Sequence, residues 1–190
     1  MSHRYFFSVI FVILVAFITI AISSVTKAPN AVIGKNWPQW SLPIVTPFLE
    51  HQAGVSKGVK LERGGQIDQD NAWQLINVWA TWCAPCREEM PWLQQASDKL
   101  EQIGVEIKLY SIDTDRNLIK EFMLSSGVNL PTYVVKREQL ELKLNTDSYP
   151  STYLVSANGK IVAFYQGARE WQSEQVLKEI QQLKEEYEQK

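Results

Sequence analysis

The run Tyr5–Ile22, YFFSVIFVILVAFITIAI, carries no charge and follows His3 and Arg4. As an α-helix rising about 1.5 Å per residue it spans roughly 27 Å, close to the hydrocarbon thickness of a bilayer. The pattern predicts one transmembrane helix within residues 1–27. A cleaved signal peptide is the competing reading, but its apolar region normally has only about 7–15 residues, and Ala21, Ser23 and Ser24 make a poor cleavage site. The positive-inside bias keeps Arg4 in the cytoplasm and sends the chain from about Lys27 onward across the membrane. Either reading exports the remainder.

Residues 28–72 are rich in Pro, Gly and Gln, and predict a linker followed by an irregular approach with one or two short edge strands. Regular periodicity begins at Trp73 and defines a domain over residues 73–190. QLINVWA is a short apolar run with β-branched and aromatic residues, the pattern of a buried central strand. From Pro85 onward Met90, Leu93, Leu100 and Ile103 recur at helical spacing, Gly104 ends the helix, and Pro91 should bend it. VEIKLYSID alternates Val105, Ile107 and Leu109 against Glu106 and Lys108, as a strand does. A second helix follows, capped by Thr114 or Asp115, with Leu118, Ile119, Phe122 and Met123 inward and Gly127 as terminator. Strand, helix, strand, helix predicts an α/β layer containing a parallel strand pair. Beyond PTYVV and a polar stretch to Ser148, STYLVSANGKIVAFYQG reads as two antiparallel strands joined at Asn158-Gly159. A last helix begins near Ser173, with Val176, Ile180, Leu183 and Tyr187 on its inward stripe.

Composition narrows the function. The chain of 190 residues suits one ordinary globular domain plus an appendage, and its formal charge of -2 with scattered Lys and Arg leaves no electrostatic footprint for nucleic acid. Six of its seven tryptophans, Trp37, Trp40, Trp73, Trp79, Trp82 and Trp92, fall between the N-terminal segment and the end of the cysteine region. Buried tryptophan serves as core or as a site wall, and the count alone does not separate the two.

The two cysteines, Cys83 and Cys86, stand where a predicted strand ends and a helix begins. The helix N-terminus offers unpaired N–H groups and a partial positive charge, which stabilise a thiolate on the first cysteine. Cys83 is therefore the expected nucleophile. Cys86, nearly one turn later, can attack a mixed disulfide at Cys83 and release the partner as a thiol. Pro85 fits a first helical turn, where its missing N–H costs nothing. Structural zinc would need four ligands, yet the histidines are His3 in the tail and His51 in the irregular approach. Two thiolates could still hold Cu(I), and two inert buried thiols are the third reading.

NVWATWCAPCREEMP at Asn77–Pro91, YPSTYLVSANGKIV at Tyr149–Val162 and QGAREW at Gln166–Trp171 together resemble the thioredoxin superfamily, and within it the membrane-anchored TlpA/ResA/CcmG (DsbE)-like thiol-disulfide oxidoreductases. The resemblance implies a thioredoxin-like fold with a central mixed β-sheet flanked by helices. It implies that Cys83 and Cys86 form the catalytic redox disulfide, that Pro150 is a cis-proline opposite it, and that Trp82, Ala84, Pro85, Tyr149 and Pro150 border the bound substrate. Glu89 matches an acidic residue of this branch. Three positions after Cys86 it shares that cysteine's helical face, where it could tune a thiol or carry a proton, whereas its plain alternative is a solvated glutamate beside Glu88. Asn77 stands where many cytoplasmic thioredoxins carry a buried Asp, which leaves Glu89 as the carboxylate candidate.

The resemblance further implies protein thiol or disulfide clients of the cytochrome c maturation or copper-centre assembly type, and a single-pass protein of the bacterial inner membrane with its domain outside the cytoplasm. A reductant in that oxidising compartment needs a membrane electron donor to recharge it. No organic cofactor or resident metal is expected. A disulfide-forming oxidase, a copper metallochaperone of thioredoxin fold and a redox-inactive binding module are the alternatives.

Overall fold

The computed structural model describes residues 32–45 and 72–190. The helix predicted within residues 1–27 lies outside the described residues, as does the 46–71 part of the approach. Among the described residues no helix is long and apolar enough to cross a membrane.

Among the described residues six strands make one sheet: β1 (Ile44–Val45), β2 (Trp73–Trp79), β3 (Val105–Ser111), β4 (Thr132–Val134), β5 (Ser151–Val155) and β6 (Ile161–Gln166), in the order β1-β4-β3-β2-β5-β6. β2, β3 and β4 run parallel, with Trp73 opposite Val105 and Leu109 opposite Thr132, while β1, β5 and β6 pair antiparallel to their neighbours. The mixed sheet is flanked by α1 (Ala84–Gln102), α2 (Arg116–Ser126), α3 (Arg137–Leu144) and α4 (Glu174–Glu188). α1 packs on β3 and against α4, and α2 packs on β1. This is a thioredoxin-like α/β fold.

The local chemistry explains most boundaries. Every residue of β2 is buried, as a central strand covered on both faces requires. Asp115 caps α2 by accepting from the Asn117 N–H, and Gly127 ends it at φ 70°, a left-handed conformation that costs glycine nothing. Ser173 caps α4 through the Val176 N–H.

Four features depart from the sequence reading. Part of the approach is core: Val32, Trp37, Trp40, Leu42 and Val45 are buried in the same compact unit as the later elements. Trp37 packs against Tyr110 at 5.7 Å and Tyr153 at 5.3 Å, on one face of the sheet. Its segment is tied to the β5–β6 hairpin by Gly34 N–H to Ile161 C=O and Trp37 N–H to Gly159 C=O, and to β4 through β1. The polar stretch before Ser148 contains α3, held to the core by Leu140 and Leu144 at i,i+4 spacing. Lys108 does not alternate outward. It is buried because β3 is interior to the sheet, and its ammonium lies 3.8 Å from Glu106 toward the strand's start. Leu118 is 50% exposed, one residue off the row of Ile119 and Met123 that meets the core.

Candidate active site

β2 delivers the cysteine loop to the sheet's C-terminal edge, and Asp113, just past the end of β3, fixes it. Thr81 donates from its N–H at 2.8 Å and from Oγ1 at 2.9 Å to the two Asp113 oxygens, and Ser111 Oγ adds a third bond at 2.8 Å. Cys83 then takes extended backbone as the N-cap of α1, its Sγ accepting the Cys86 N–H at 3.3 Å, with Pro85 in the first turn. The two cysteines are joined as a disulfide with Cα atoms 5.3 Å apart. Cys86 is fully buried and Cys83 is 6% exposed, whereas Trp82, beside it, is 63% exposed. Ala84 and Pro85 are also exposed, so the rim of the disulfide is presented to solvent.

The segment leading into β5 closes the other side. The Tyr149–Pro150 peptide bond is cis. Val78 pairs with Ser151, which sets Pro150 level with the end of β2. The Tyr149 ring meets Trp82 edge-on at 6.3 Å, and the Arg137 guanidinium lies 6.0 Å from the Tyr149 centroid. A groove of about 870 Å³ opens at this edge between residues 39–43 and the start of α3, and Asp113 and Arg137 line it. Asp113 also holds Thr81, and Arg137 lies over Tyr149. Among the described residues no group of three or more His, Cys, Asp or Glu could hold a metal ion.

Glu89 is fully buried, on the helix row that also buries Cys86, Met90 and Leu93. Asn77 Nδ2 donates to its Oε1 at 2.7 Å, while Trp171 Nε1 at 2.8 Å and the Arg169 N–H at 3.1 Å donate to its Oε2. Burial disfavours the charged carboxylate and pushes its pKa from 4.5 up to about 7, with the bonds from Trp171, Asn77 and Arg169 pulling the other way. The reading of Glu89 as a solvated surface residue is therefore excluded. Asn77 Nδ2 also donates to Thr152 Oγ1 at 2.8 Å, and among the described residues Asn77 Oδ1 is buried without a partner.

The structure brings Cys83, Cys86, Glu89, Trp82, Ala84, Pro85, Tyr149 and Pro150 to one end of the fold. Sequence reasoning missed the part played by Asp113, Thr152, Arg169 and Trp171. The last two sit in QGAREW, a motif visible in the chain whose contacts lie about 80 residues away.

Residues 33–164 match the sequence profile of the AhpC/TSA family. The chain belongs to the AhpC/TSA family. The match begins at residue 33, so this member's family region includes the segment that packs Trp37 and Trp40. It is 29% identical over 169 residues to the thiol-disulfide oxidoreductase ResA of Oceanobacillus iheyensis, covering 87% of this chain and 83% of that one. With ResA of Bacillus subtilis it shares 30% identity over 92 residues, covering 48% of this chain and 51% of that protein. A Chlorobium tepidum protein assigned as a DsbE-type thiol:disulfide interchange protein superposes with TM-score 0.61 at 19% identity, over 80% of this chain and 96% of the other. The thioredoxin domain of a Bacteroides vulgatus thiol-disulfide oxidoreductase gives 0.58 at 18% identity, over 80% and 97%. At such identities these two structures establish the fold.

Proposed function

We propose that this chain is an extracytoplasmic thiol-disulfide oxidoreductase that reduces disulfides in client proteins, tethered to the bacterial inner membrane by its first 27 residues. The observation that carries the reading is the Cys83–Cys86 disulfide at the start of α1, with the Cys86 N–H on Cys83 Sγ at 3.3 Å. A backbone N–H and a helix N-terminus aimed at the first sulfur favour its thiolate once the pair is reduced. Cys83 attacks one sulfur of the client disulfide, and the other leaves as a thiolate that takes a proton from water. Cys86 loses its proton to Glu89 and attacks Cys83 Sγ. The client's second sulfur departs as a thiolate that takes a proton from water, and two electrons have passed from the Cys83–Cys86 dithiol to the client.

Trp82, Ala84, Pro85, Tyr149 and Pro150 border the bound client segment in this reading. The similarity to ResA and DsbE proteins supports clients of the cytochrome c maturation or copper-centre type, and a membrane electron donor that returns the pair to the dithiol. Ala84-Pro85 puts no side-chain donor or positive charge between the cysteines, which favours the reducing side.

The deciding experiment equilibrates the chain lacking its first 27 residues against a thiol/disulfide buffer. A reduction potential well below about -200 mV is expected. A value near the oxidising end of the scale, about -120 mV, reverses the direction to disulfide formation. Failure to form a reversible disulfide overturns the enzyme reading and brings Cu(I) binding forward.

A further inference from the structure

Glu89 is held asymmetrically. Its Oε2 faces the Trp171 indole N–H and the Arg169 backbone N–H, neither of which can accept a hydrogen bond. A proton placed on Oε2 would meet two donors. Oε1 faces the amide of Asn77 alone, and that amide carries the buried Oδ1 that lacks a partner. Turning the amide by half a rotation brings Oδ1 toward Oε1, ready to accept from a protonated carboxyl, and the Thr152 hydroxyl can donate to the same oxygen.

We propose that Trp171 is a positioning residue for Glu89: with the Arg169 N–H it confines the carboxyl proton to Oε1 and makes the Asn77 amide the group that turns when that proton arrives. The proposal rests on the oxidoreductase reading for its purpose, since it names the atom that receives the Cys86 proton. The donor pair is itself anchored. The Trp171 backbone N–H donates to the Arg169 C=O at 2.9 Å, and the indole is fully buried, edge-on to Tyr165 at 5.5 Å. The Arg169 guanidinium lies 4.4 Å over the Tyr165 ring and makes a paired contact to Glu179 of α4 at 2.8 and 3.4 Å. That ion pair holds the segment carrying both donors.

Among the described residues the ionisable groups around Glu89 are few. Cys86 precedes it on α1, Glu88 is turned outward, and the Arg169 charge is engaged by Glu179. β2 and β5 contribute only the neutral Asn77 and Thr152. With the Cys83–Cys86 disulfide intact no thiol titrates beside the carboxyl, so one group dominates the local response.

The test is a pH titration of the oxidised full chain by NMR. It follows the Glu89 carboxyl carbon, the Asn77 side-chain NH₂ and the Trp171 indole N–H together. All three should move with one midpoint, and Trp171→Phe, which keeps the ring packing and removes the donor, should raise that midpoint by about one pH unit, a tenfold gain in proton affinity. An Asn77 amide that stays unmoved while Glu89 titrates overturns the proposal, as does a Trp171→Phe midpoint equal to that of the unaltered chain. Should Trp171→Phe fail to fold, the three signals of the unaltered protein decide alone. None of these readings uses thiol exchange, so turnover of a small disulfide, measured separately, tells loss of the functional reading apart from loss of this one.

Discussion

Replacing Glu89 with glutamine should make the protein's stability less dependent on pH. In the folded chain the carboxyl titrates at about 7 instead of 4.5, mainly because burial penalises its charge. Between those values the native state holds a proton that the unfolded chain has released, so the free energy of unfolding falls as pH rises through the window. Below pH 4.5 both states are protonated and the penalty is absent; above pH 7 both are ionised and it is complete. The interval from 4.5 to about 7, at 1.36 kcal/mol per pH unit, amounts to about 3 kcal/mol. A glutamine side chain suits the site: its carbonyl oxygen can accept from Trp171 and Arg169, and, with the Asn77 amide turned, its NH₂ can donate to Asn77 Oδ1, which has no partner among the described residues. Urea unfolding of the oxidised protein and of the Glu89→Gln variant, measured from about pH 4 to about pH 8.5 to bracket the window, should therefore give equal stabilities at the acid end. At the alkaline end the variant should be about 3 kcal/mol more stable. A difference that stays constant across the range would show that Glu89 ionises as a solvated carboxylate does, and would refute the burial argument. The same variant should resolve mixed disulfides more slowly, because glutamine cannot take the Cys86 proton.

Other expectations follow from single sites. Cys86→Ala should stop turnover and trap a Cys83 mixed disulfide with a disulfide-bearing client, visible on a non-reducing gel and absent when Cys83 is also replaced. Asp113→Ala strands the Thr81 N–H, the Thr81 hydroxyl and the Ser111 hydroxyl, at a cost of about 3 kcal/mol in denaturant titrations. Gly127→Ala forces a side chain into φ 70° with no neighbouring atom within 4 Å of the added carbon, so its cost should be purely conformational, about 1 kcal/mol.

How far the chain could be read depended on whether a residue's partners were near in sequence. The strand-to-helix junction at Cys83, the caps at Asp115 and Ser173 and the Asn158-Gly159 hairpin rest on local chemistry, and all were legible. Glu89 lies on the row of Cys86, Met90 and Leu93 that the helical period assigns to the core, but burial of a carboxyl is made tolerable there by Asn77 of β2 together with Trp171 and Arg169 from a distant loop. Trp37 and Trp40 carried no periodic signal because their segment is held by isolated anchors and cross-chain backbone bonds in place of a repeating pattern. α3 was missed because Leu140 and Leu144 are its only buried side chains, on a background of charge that reads as a loop.

The segment 32–45 spans the sheet between opposite margins, tied to the hairpin at Gly34 and Trp37 and to β4 at Ile44 and Val45. In mechanical terms it is a cross-brace. A pull applied from the N-terminal side meets the hairpin bonds and the Trp37 seat among Tyr110 and Tyr153 before it can reach β2. The cysteine loop hangs from β2 and is pinned by Asp113 at the opposite end of the strand from the hairpin turn. Tension on the leading end of the chain falls first on the brace and on the turn end of the hairpin, which is the end of β5 away from Pro150.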